Sequence, residues 1–422
     1  MTTNPPQDCY IIGAYTTRFG KQPDVTIKAL AEHAVLGVLE DAGLEDANRI
    51  DAAWFGNCGM WTDGQGSIRG QVCLTPLIES GRFPARIPII NVEAGCATAS
   101  LALHGACRDI QSGEHDLVLA LGVEKTFHPN APEKTSQLFY GGIDQYDPWQ
   151  WEDYYRKAGQ AAGKPFEPGP DRTIFMDTYA MQACWHMQRY GTTQRQIAAA
   201  AAKNHTHAAM NPNAQYRHAM TIEEVLSDKP ITWPLTRAMC APIGDGAAAA
   251  LVVSARLLGD LPPAIRDRAV RVAAIGLSSG KYRALDEPGL SRVAAERAYR
   301  RAGISAHDID VAEVHDATSF CELYQLEMLG FCPEGQGGRW VEEGKTTLGG
   351  RLPVNTSGGL VSKGHPVGAT GLSMMTELVQ QLRQEAGPRQ VAGAEWALAE
   401  NGGGVIGFDE AACAVVLLHK DR

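Results

Sequence analysis

The sequence predicts a protein of the α/β class that is built from two similar halves. Predicted strands alternate with predicted helices along most of the chain, which is typical of a mostly parallel sheet covered by helices. The run from Asp-Ala-Gly at 41–43 to Ile-Asp at 50–51 returns as Ala-Gly at 302–303 followed by Ile-Asp at 309–310. A length of 422 residues, 44% of them hydrophobic, is enough for two such halves with a full core.

The first half, expected over 1–260, begins with a strand and a helix whose end is clearly marked. An apolar stretch predicts a strand over 9–14, and amphipathic spacing followed by Gly43 predicts a helix over 26–42. Two more strands are expected over 50–56 and 116–124, with a glycine-rich loop over 56–70 after the first of them. The strand over 116–124 is apolar between its two acidic end residues, so we expect it to be buried on both faces.

An inserted loop domain is expected inside the first half, over about 125–235. Residues 127–177 are rich in proline and carry a tight group of Tyr and Trp residues between 140 and 155, which predicts an excursion from the sheet. Helices are then expected over 178–190 and 193–207, and a buried strand over 247–254 returns the chain to the sheet.

The second half, expected over 265–422, repeats the order of the first. It is predicted to contain a strand over 270–276, a helix ending near 301, a strand over 309–315, a helix over 372–384 and a last strand over 411–418. The Asn-Thr-Ser-Gly-Gly segment at 355–359 resembles the run that begins at Asn91, and both precede a helix. The repeat therefore extends over the whole chain.

Cys96 lies on a predicted turn between an extended segment and a helix N-terminus. Gly95 and Ala97 beside it leave room for a ligand or another backbone. Free N–H groups and the helix dipole favour a thiolate, so we expect a lowered thiol pKa and a nucleophilic cysteine. The alternative is a small apolar residue in a tight contact between helix and strand, because free cysteine is often buried.

Three further segments join Cys96 as candidates for chemistry. His315 ends a predicted strand, His365 lies in a glycine-rich loop before a helix, and Glu400 begins a Glu-Asn-Gly-Gly-Gly loop expected just before the last strand. A thiol, an imidazole that deprotonates it and donors for a developing oxyanion are what thioester chemistry requires. Each histidine could instead be an ordinary polar residue at a strand end or in a loop. The glycine-rich loop that contains His365 could also suggest dinucleotide binding, but it has no G-x-G-x-x-G spacing directly after a strand.

Composition excludes several classes of function. A net charge of −10 without any basic run argues against a nucleic-acid surface. The ten cysteines are scattered without metal-ligand spacing, which predicts reduced thiols and no metal site. No apolar run reaches the length of a membrane span, and neither a signal peptide nor a peroxisomal tripeptide is recognised. We therefore expect a cytoplasmic protein.

The motifs together resemble those of the thiolase superfamily. The segment G-H-P-V-G-A-T-G at 364–371 is similar to the thiolase signature G-H-P-x-G-A-x-G, and Gly-Cys-Ala at 95–97 is similar to the nucleophile motif. His-Asp-Ala at 315–317 resembles the H-D-x-F region of the sterol-carrier-protein-2-type branch, which includes acetyl-CoA acetyltransferase-like enzymes. The resemblance covers essentially the whole chain and implies two similar halves in an α/β/α/β/α layered arrangement with an inserted loop domain.

The resemblance also implies roles for individual residues. Cys96 would carry the acyl group as a thioester, His365 would activate Cys96 and bind a thioester oxygen, and His315 would position a water in that oxyanion hole. The backbone N–H groups of Cys96 and Gly402 would form a second oxyanion hole. Members of the signature and repeat segments are expected to bind substrate: Gly364, Gly368 and Ser357. Coenzyme A is a co-substrate, and no bound cofactor is expected.

The chain departs from the family pattern at the second catalytic cysteine. Thiolases carry that acid/base thiol in a late C-x-G motif or in H-D-C-F, whereas this chain has Glu400 at the first place and Ala317 at the second. Thr318 and Ser319 also lengthen the distance from Ala317 to Phe320. A buried Glu400 with a raised pKa could replace the thiol, or it could be a loop carboxylate. Cys321 and Tyr324 are weaker candidates.

The Glu-Asn-Gly-Gly-Gly variant resembles thiolases that work with a small zinc-ribbon and OB-fold partner. We therefore expect a homodimer with such a partner, acyl-CoA and CoA as ligands, and neither nucleic acid nor membrane. The aromatic cluster that contains Tyr146 and Trp149 is interpreted as a lid over a bulky or aromatic acyl group, with packing of the insert as the alternative.

The sequence thus predicts a CoA-dependent thiolase, an acyltransferase that cleaves or forms a β-ketoacyl-CoA through an S-acyl intermediate on Cys96. Two alternatives stay open. One is a retro-aldolase acting on a β-hydroxyacyl-CoA of the steroid side-chain type, which the missing second thiol favours and Cys96 disfavours. The other is a non-catalytic thiolase-like subunit, in which an intact set of Cys96, His315 and His365 would be unnecessary.

Overall fold

In residues 7–169 and 171–420, which the computed structural model describes, nine strands form one central sheet. Its order is β3-β2-β4-β7-β1-β8-β11-β10-β9, and β5 and β6 form a separate hairpin. The strands are β1 (Cys9–Thr16), β2 (Ala52–Gly56), β3 (Ile89–Val92), β4 (Leu117–Glu124), β5 (Pro230–Thr232), β6 (Leu235–Thr236), β7 (Gly246–Ser254), β8 (Val270–Ser279), β9 (Val311–Glu313), β10 (Trp396–Ile406) and β11 (Asp409–His419).

Fourteen α-helices accompany these strands in the same described residues. They are α1 (Ile27–Ala42), α2 (Arg69–Glu79), α3 (Thr98–Ser112), α4 (Pro132–Tyr140), α5 (Pro148–Ala161), α6 (Ile174–Tyr190), α7 (Gln194–Ala209), α8 (Ile222–Ser227), α9 (Ala255–Asp260), α10 (Pro263–Arg266), α11 (Leu290–Ala302), α12 (Ser319–Met328), α13 (Gly337–Glu342) and α14 (Thr370–Leu382). Among the described helices, none combines the length and the apolar composition that a membrane span requires. The terminal residues 1–6 and 421–422, which contributed to the expected location, lie outside the described residues, as does Pro170.

The strand order repeats in the two halves of the sheet. In the first half β2 pairs in parallel with β3 and β4, and β7 lies antiparallel between β4 and β1. In the second half β9 pairs in parallel with β10, and β11 lies antiparallel between β10 and β8. Val354 forms a parallel bridge with Ala312 at the place that β3 occupies in the first half. The duplication predicted from the sequence is therefore visible in the topology.

Helices and sheet halves stack in five layers. Helix α1 packs on β1, β4 and β7, while α11 packs on β8 and β11. Helices α3 and α14 contact each other and strands of both halves, so they form the central layer. Among the described residues, the two halves of the sheet are joined by the short pairing of Tyr10 with Arg271 and Ile11 with Val270. The predicted α/β/α/β/α arrangement and the thiolase-like fold class are confirmed.

Local sequence explains where the best predicted elements begin and end. Thr26 caps α1 by accepting a hydrogen bond from the Ala29 N–H, and Gly43 ends the helix with a φ of 68°. Strand β7 is buried along its whole length, as its unbroken apolar sequence predicts. These signals are local, so the sequence alone reveals them.

The stretch after β4 leaves the central sheet, as predicted, and contains α4 and α5, each of which begins with a proline in its first turn, where a missing N–H costs nothing. One prediction of local structure is wrong. The Glu-Asn-Gly-Gly-Gly segment does not form the expected loop but lies inside β10. Glycine is needed in this strand because a Cβ at Gly403 would collide with the backbone of Ala94 and Ala97.

Candidate active site

Cys96 lies on a tight turn between β3 and α3, as predicted. Gly95 has a φ of 54°, and the Thr98 hydroxyl accepts a hydrogen bond from the Ala94 N–H at 2.8 Å. The Thr98 N–H donates to the Gly95 carbonyl at 3.1 Å. The thiol is half-buried and is held by a turn that β10 covers closely.

His365 is in direct hydrogen-bond contact with the thiol. Its Nε2 lies 3.1 Å from the Cys96 Sγ, and its Nδ1 lies 2.7 Å from the Thr370 Oγ1. The Thr370 hydroxyl donates its proton to the Pro366 carbonyl at 3.0 Å, so it accepts from His365. This arrangement fixes the neutral tautomer with hydrogen on Nδ1 and leaves the Nε2 lone pair facing the thiol.

His315 completes the group from the end of β9. Its ring centroid lies 5.1 Å from that of His365, and the ligand atoms of Cys96, His315 and His365 lie within 4.8 Å of one another. The His315 Nε2 is buried without a hydrogen-bond partner within the described residues. The structure therefore brings the three predicted residues together and leaves one polar atom available for a ligand.

Two groups of described residues have ligand atoms close enough for a metal ion. One is Cys96 with His315 and His365, and the other is Asp109 with Glu114 and His115 near the surface. The first consists of one thiol and two imidazoles, which is also the set that thioester chemistry requires.

Burial controls the protonation of the site. It raises the pKa of the Cys96 thiol to about 12, although the backbone N–H groups of Gly404 and Cys96 itself donate to the sulfur and lower it. Burial lowers the pKa of His315 to about 4 and that of His365 well below its ordinary value. The predicted lowering of the thiol pKa is wrong, because desolvation outweighs the N–H groups and the helix dipole. The site therefore holds a neutral thiol beside a neutral imidazole.

The second backbone N–H at the thiol belongs to a residue that sequence reasoning did not select. It comes from Gly404, whereas the prediction named Gly402. Gly402 pairs with Cys413 across the sheet, and a Cβ on it would meet the side chain of Glu410 instead of the Cys96 turn. The error is two residues along one strand, which sequence spacing in an expected loop could not resolve.

Two cavities open on Cys96. The larger has a volume of about 800 Å³ and includes His365, Cys240 and Ala317 in its wall. The smaller has a volume of about 240 Å³ and includes Cys58 and Arg69. Phe139 and Phe175 line both cavities, with their ring centroids 6.1 Å apart in an edge-to-face pair.

Glu400 is buried behind His315. Its Oε2 accepts the His315 backbone N–H at 3.0 Å, and its Oε1 accepts the Cys413 thiol at 3.5 Å. Burial and the neighbouring Glu410 raise the pKa of Glu400 to about 8. Glu400 lines neither cavity, so its place favours positioning of His315 over the predicted acid/base role.

The predicted substrate-binding residues do not line the cavities. Tyr146 and Trp149 are 102% and 81% exposed, so in this chain they form no lid over the site. Ser357 is buried and donates to the Glu313 Oε2 at 2.5 Å. Gly364 has a φ of 113°, which favours glycine, and Gly368 packs so closely on Glu124 and the Val123 carbonyl that a Cβ would collide with them. The aromatic wall comes instead from other residues of the inserted segment, which include Phe127, Phe139, Phe175 and Tyr179.

Thr370 is a site residue that sequence reasoning missed. It is the first residue of α14, and it lies five positions after His365 in the signature segment. A hydroxyl residue at a helix start beside a glycine-bounded histidine was the available signal, because such a side chain can reach back to the preceding loop.

Both halves of the chain match known protein families. The sequence matches the family model described as "Thiolase, N-terminal domain" over residues 9–256 and the one described as "Thiolase C-terminal domain-like" over residues 288–417. It is 37% identical to an acetyl-CoA acetyltransferase of Methanothermobacter thermautotrophicus over 406 residues, which cover 95% of this chain and 97% of that one.

Two further relatives and a solved structure extend the comparison. Sterol carrier protein 2 of Bos taurus is 37% identical, with 96% of this chain and 73% of that protein covered. The benzoylsuccinyl-CoA thiolase subunit BbsB of Thauera aromatica is 30% identical, with 90% and 91% covered. The solved structure of an Ltp2-ChsH2(DUF35) aldolase superposes with a TM-score of 0.76 at 23% identity and 99% coverage of both chains.

Proposed function

The chain belongs to the thiolase family and is an acyltransferase of that type, and on this premise we propose a mechanism with an S-acyl intermediate on Cys96. Through this intermediate the protein cleaves or forms a β-ketoacyl-CoA with a bulky or aromatic acyl group. The observation that carries the proposal is the contact of 3.1 Å between the His365 Nε2 and the Cys96 Sγ. The tautomer that Thr370 imposes makes this nitrogen the acceptor of the thiol proton.

Acylation starts from the neutral pair. As the sulfur attacks the β-carbonyl carbon, the thiol proton moves to the His365 Nε2, so no buried charge exists before the substrate arrives. The backbone N–H groups of Cys96 and Gly404 lie at the sulfur and are placed to donate to the oxyanion that forms on the attacked carbon. They replace the predicted pair of Cys96 and Gly402.

The thioester oxygen of the acetyl-CoA portion, which becomes an enolate oxygen, is assigned to the two imidazoles. The protonated Nε2 of His365 and the unpartnered Nε2 of His315 are both close to the sulfur, so they are placed to stabilise an enolate oxygen directly or through a water. Glu400 holds the His315 backbone in this position through the hydrogen bond of 3.0 Å.

Coenzyme A is proposed to occupy the larger cavity. The volume of this cavity, about 800 Å³, suits a long ligand. Lys21, which forms no ion pair within the described residues, contributes a cation to the cavity wall. The substrate class is supported by the aromatic residues that line both cavities beside Cys96, chiefly Phe139 and Phe175. The relative from Thauera aromatica is named for benzoylsuccinyl-CoA, whose benzoyl group is aromatic, and this name points in the same direction.

A homodimer with a small zinc-ribbon and OB-fold partner is proposed as the working assembly. Strand β3 is an edge of the sheet with every residue only half-buried, which suits pairing with the same strand of a second copy. Tyr146 and Trp149 are large exposed aromatic residues of the kind that interfaces bury. The structural neighbour is named as a pair with a DUF35 partner, which supports a second subunit. All ten cysteines are free, which supports the proposed cytoplasmic location.

A retro-aldolase that acts on a β-hydroxyacyl-CoA is the second candidate. It is favoured by the missing second thiol at Ala317 and by the structural likeness to an aldolase. Such a reaction needs no acyl-cysteine, so the proximity of Cys96 to His365 would serve no purpose in it. A non-catalytic subunit would likewise have no use for the three assembled side chains.

The test is intact-protein mass spectrometry after brief mixing with acetyl-CoA and a panel of β-ketoacyl- and β-hydroxyacyl-CoAs. We expect an acyl adduct that maps to Cys96, is absent from Cys96→Ala and persists in Cys58→Ala, a matched change of a second thiol in the smaller cavity wall. Cleavage of a β-hydroxyacyl-CoA by Cys96→Ala without an adduct would instead establish the aldolase. Failure with every substrate, alone and with co-purified partners, would favour the non-catalytic subunit.

A further inference from the structure

The active site has no thiol at either place where the family resemblance expects the second acid/base cysteine. Glu400 is engaged behind His315, and Ala317 has no titratable group. A thiolase reaction must nevertheless move a proton to or from the α-carbon of the leaving or attacking acyl-CoA. The residue that does this must line the space next to Cys96.

Cys240 lies beside Ala317, although it is distant in sequence. The Ala241 N–H donates to the Ala317 carbonyl at 2.9 Å, and Cys240 forms an antiparallel bridge with Thr318. The segment around Cys240 therefore runs antiparallel to the segment that contains Ala317, the place where the family motif H-D-C-F has its second cysteine. In this way a thiol from one segment can replace the thiol that the neighbouring segment lacks.

Cys240 also lies in the wall of the larger cavity, which opens on Cys96. Cys96 and Cys240 are the two cysteines in the wall of the larger cavity among the described residues, and His365 and Ala317 lie in the same wall. The Cys321 thiol is buried, contacts the Thr318 Oγ1 at 3.3 Å and does not line the cavity. Among the thiols near Ala317, Cys240 is therefore the one that a substrate can reach.

From this juxtaposition we propose that Cys240 is the acid/base residue that exchanges a proton with the α-carbon of the acyl-CoA. The inference rests on the proposed thiolase function and names a residue for its missing step. A second observation points to a ligand beside Cys96, which lies in the same cavity wall as Cys240: the Nε2 of His315 is buried and unpartnered within the described residues and lies within 4.8 Å of the ligand atoms of Cys96 and His365.

The protonation of Cys240 suits the cleavage direction. Its Sγ donates to the Thr236 carbonyl at 3.4 Å, so the thiol carries its proton in the free enzyme. Burial raises the pKa of this thiol to about 12, which keeps the proton in place until a strongly basic carbanion forms beside it.

The proton count closes over one cycle. Cys96 forms a bond to the β-carbonyl carbon and passes its proton to His365. The bond between the α- and β-carbons breaks, its electron pair stays on the α-carbon, and Cys240 protonates that carbon and becomes a thiolate. The incoming CoA thiol then gives its proton to Cys240 and attacks the acyl group, while His365 returns its proton to Cys96.

The experiment separates acyl transfer from α-proton exchange. Wild type, Cys240→Ala and Cys240→Ser are incubated with acetyl-CoA and a β-ketoacyl-CoA. Acylation of Cys96 is followed by mass spectrometry, and exchange of α-protons in D₂O is followed by NMR. We expect Cys96 to be acylated within a few-fold of the wild-type rate and exchange to fall by about 100-fold or more, the usual size of an acid/base contribution. The matched controls Cys184→Ala and Cys321→Ala, whose thiols lie outside the cavity wall, should exchange as wild type does.

Each other result overturns a defined statement. Unchanged exchange in both Cys240 variants, or no exchange in wild type that is acylated, overturns the role of Cys240. Loss of exchange in Tyr179→Phe with Cys240→Ala unaffected would assign the proton to the tyrosine of the same cavity wall. Absence of an adduct on wild-type Cys96 overturns the proposed function itself, which the two readouts distinguish from failure of the Cys240 proposal.

Discussion

Replacing Thr370 with valine should slow acylation of Cys96 without unfolding the protein. The Thr370 Oγ1 is the acceptor for the His365 Nδ1–H at 2.7 Å, and both side chains are buried. Valine keeps the shape of threonine but leaves that N–H without a partner. A buried unpaired donor costs about 1–3 kcal/mol. The imidazole can avoid this cost by rotating or by moving its proton to Nε2, and either change removes the base from Cys96.

The same free energy sets the size of the effect. At 1.36 kcal/mol for each factor of ten, about 1–3 kcal/mol corresponds to a rate of acylation that is about 5- to 150-fold lower. The rate is measured as formation of the Cys96 adduct by rapid-quench mass spectrometry. Thr370→Ser, which keeps the hydroxyl, should recover most of the wild-type rate.

A matched control comes from the same helix. The Thr376 hydroxyl donates to the Leu372 carbonyl at 3.1 Å, as the Thr370 hydroxyl donates to the Pro366 carbonyl, but it has no histidine partner. Thr376→Val should therefore lower the melting temperature no more than Thr370→Val does, while acylation stays near wild type. Acylation by Thr370→Val within twofold of the wild-type rate would refute the tautomer argument.

Three further predictions test other parts of the site. Because the pKa of Cys96 is raised to about 12, the rate of its alkylation by iodoacetamide should rise about tenfold for each pH unit from 7 to 9. An alkylation rate that stays constant over this range would instead indicate the low thiol pKa that the sequence suggested. Because the pKa of Glu400 in the folded protein is raised to about 8, the unfolded chain binds fewer protons at this residue between pH 5 and 8, and the stability of the protein falls as pH rises. In thermal melts, the melting temperature of Glu400→Gln should fall less over this pH range than that of wild type. The same dependence of melting temperature on pH in both proteins would contradict the raised pKa. A Cβ on Gly403 would collide with backbone at the Cys96 turn, so Gly403→Ala should abolish the acyl adduct on Cys96. The control Gly259→Ala, which has open space around it, should leave that adduct unchanged. An intact adduct in Gly403→Ala would disprove the tight contact.

The sequence predicted the parts of the fold that depend on local signals. Thr26 and Gly43 mark the ends of α1, and the apolar run of β7 marks a strand buried on both faces. The relation between the halves followed from repeated short motifs. The placement of Glu-Asn-Gly-Gly-Gly in β10 did not, because glycine usually weakens a strand and here is required by contact with a turn about 300 positions earlier in the chain.

The site was predicted as a set of residues, but its electrostatics and its partners were not. Motifs named Cys96, His315 and His365, and the structure brings all three within 4.8 Å. The helix N-terminus suggested a thiolate, yet the degree of burial decides the pKa, and burial is a property of the packed protein. The pairing of Cys240 with Thr318 is likewise a tertiary contact that no spacing in the sequence reveals.

The duplicated fold explains why the site is neutral at rest. Cys96 precedes α3 in the first half and His365 precedes α14 in the second, so the two central helices bring nucleophile and base together where the halves pack. Both imidazoles are buried there, so an ion pair formed before substrate binds would have to overcome desolvation of its charges. Holding the proton on sulfur until the thioester arrives avoids that cost, because the negative charge then passes directly to an oxygen that the N–H groups of Cys96 and Gly404 can stabilise.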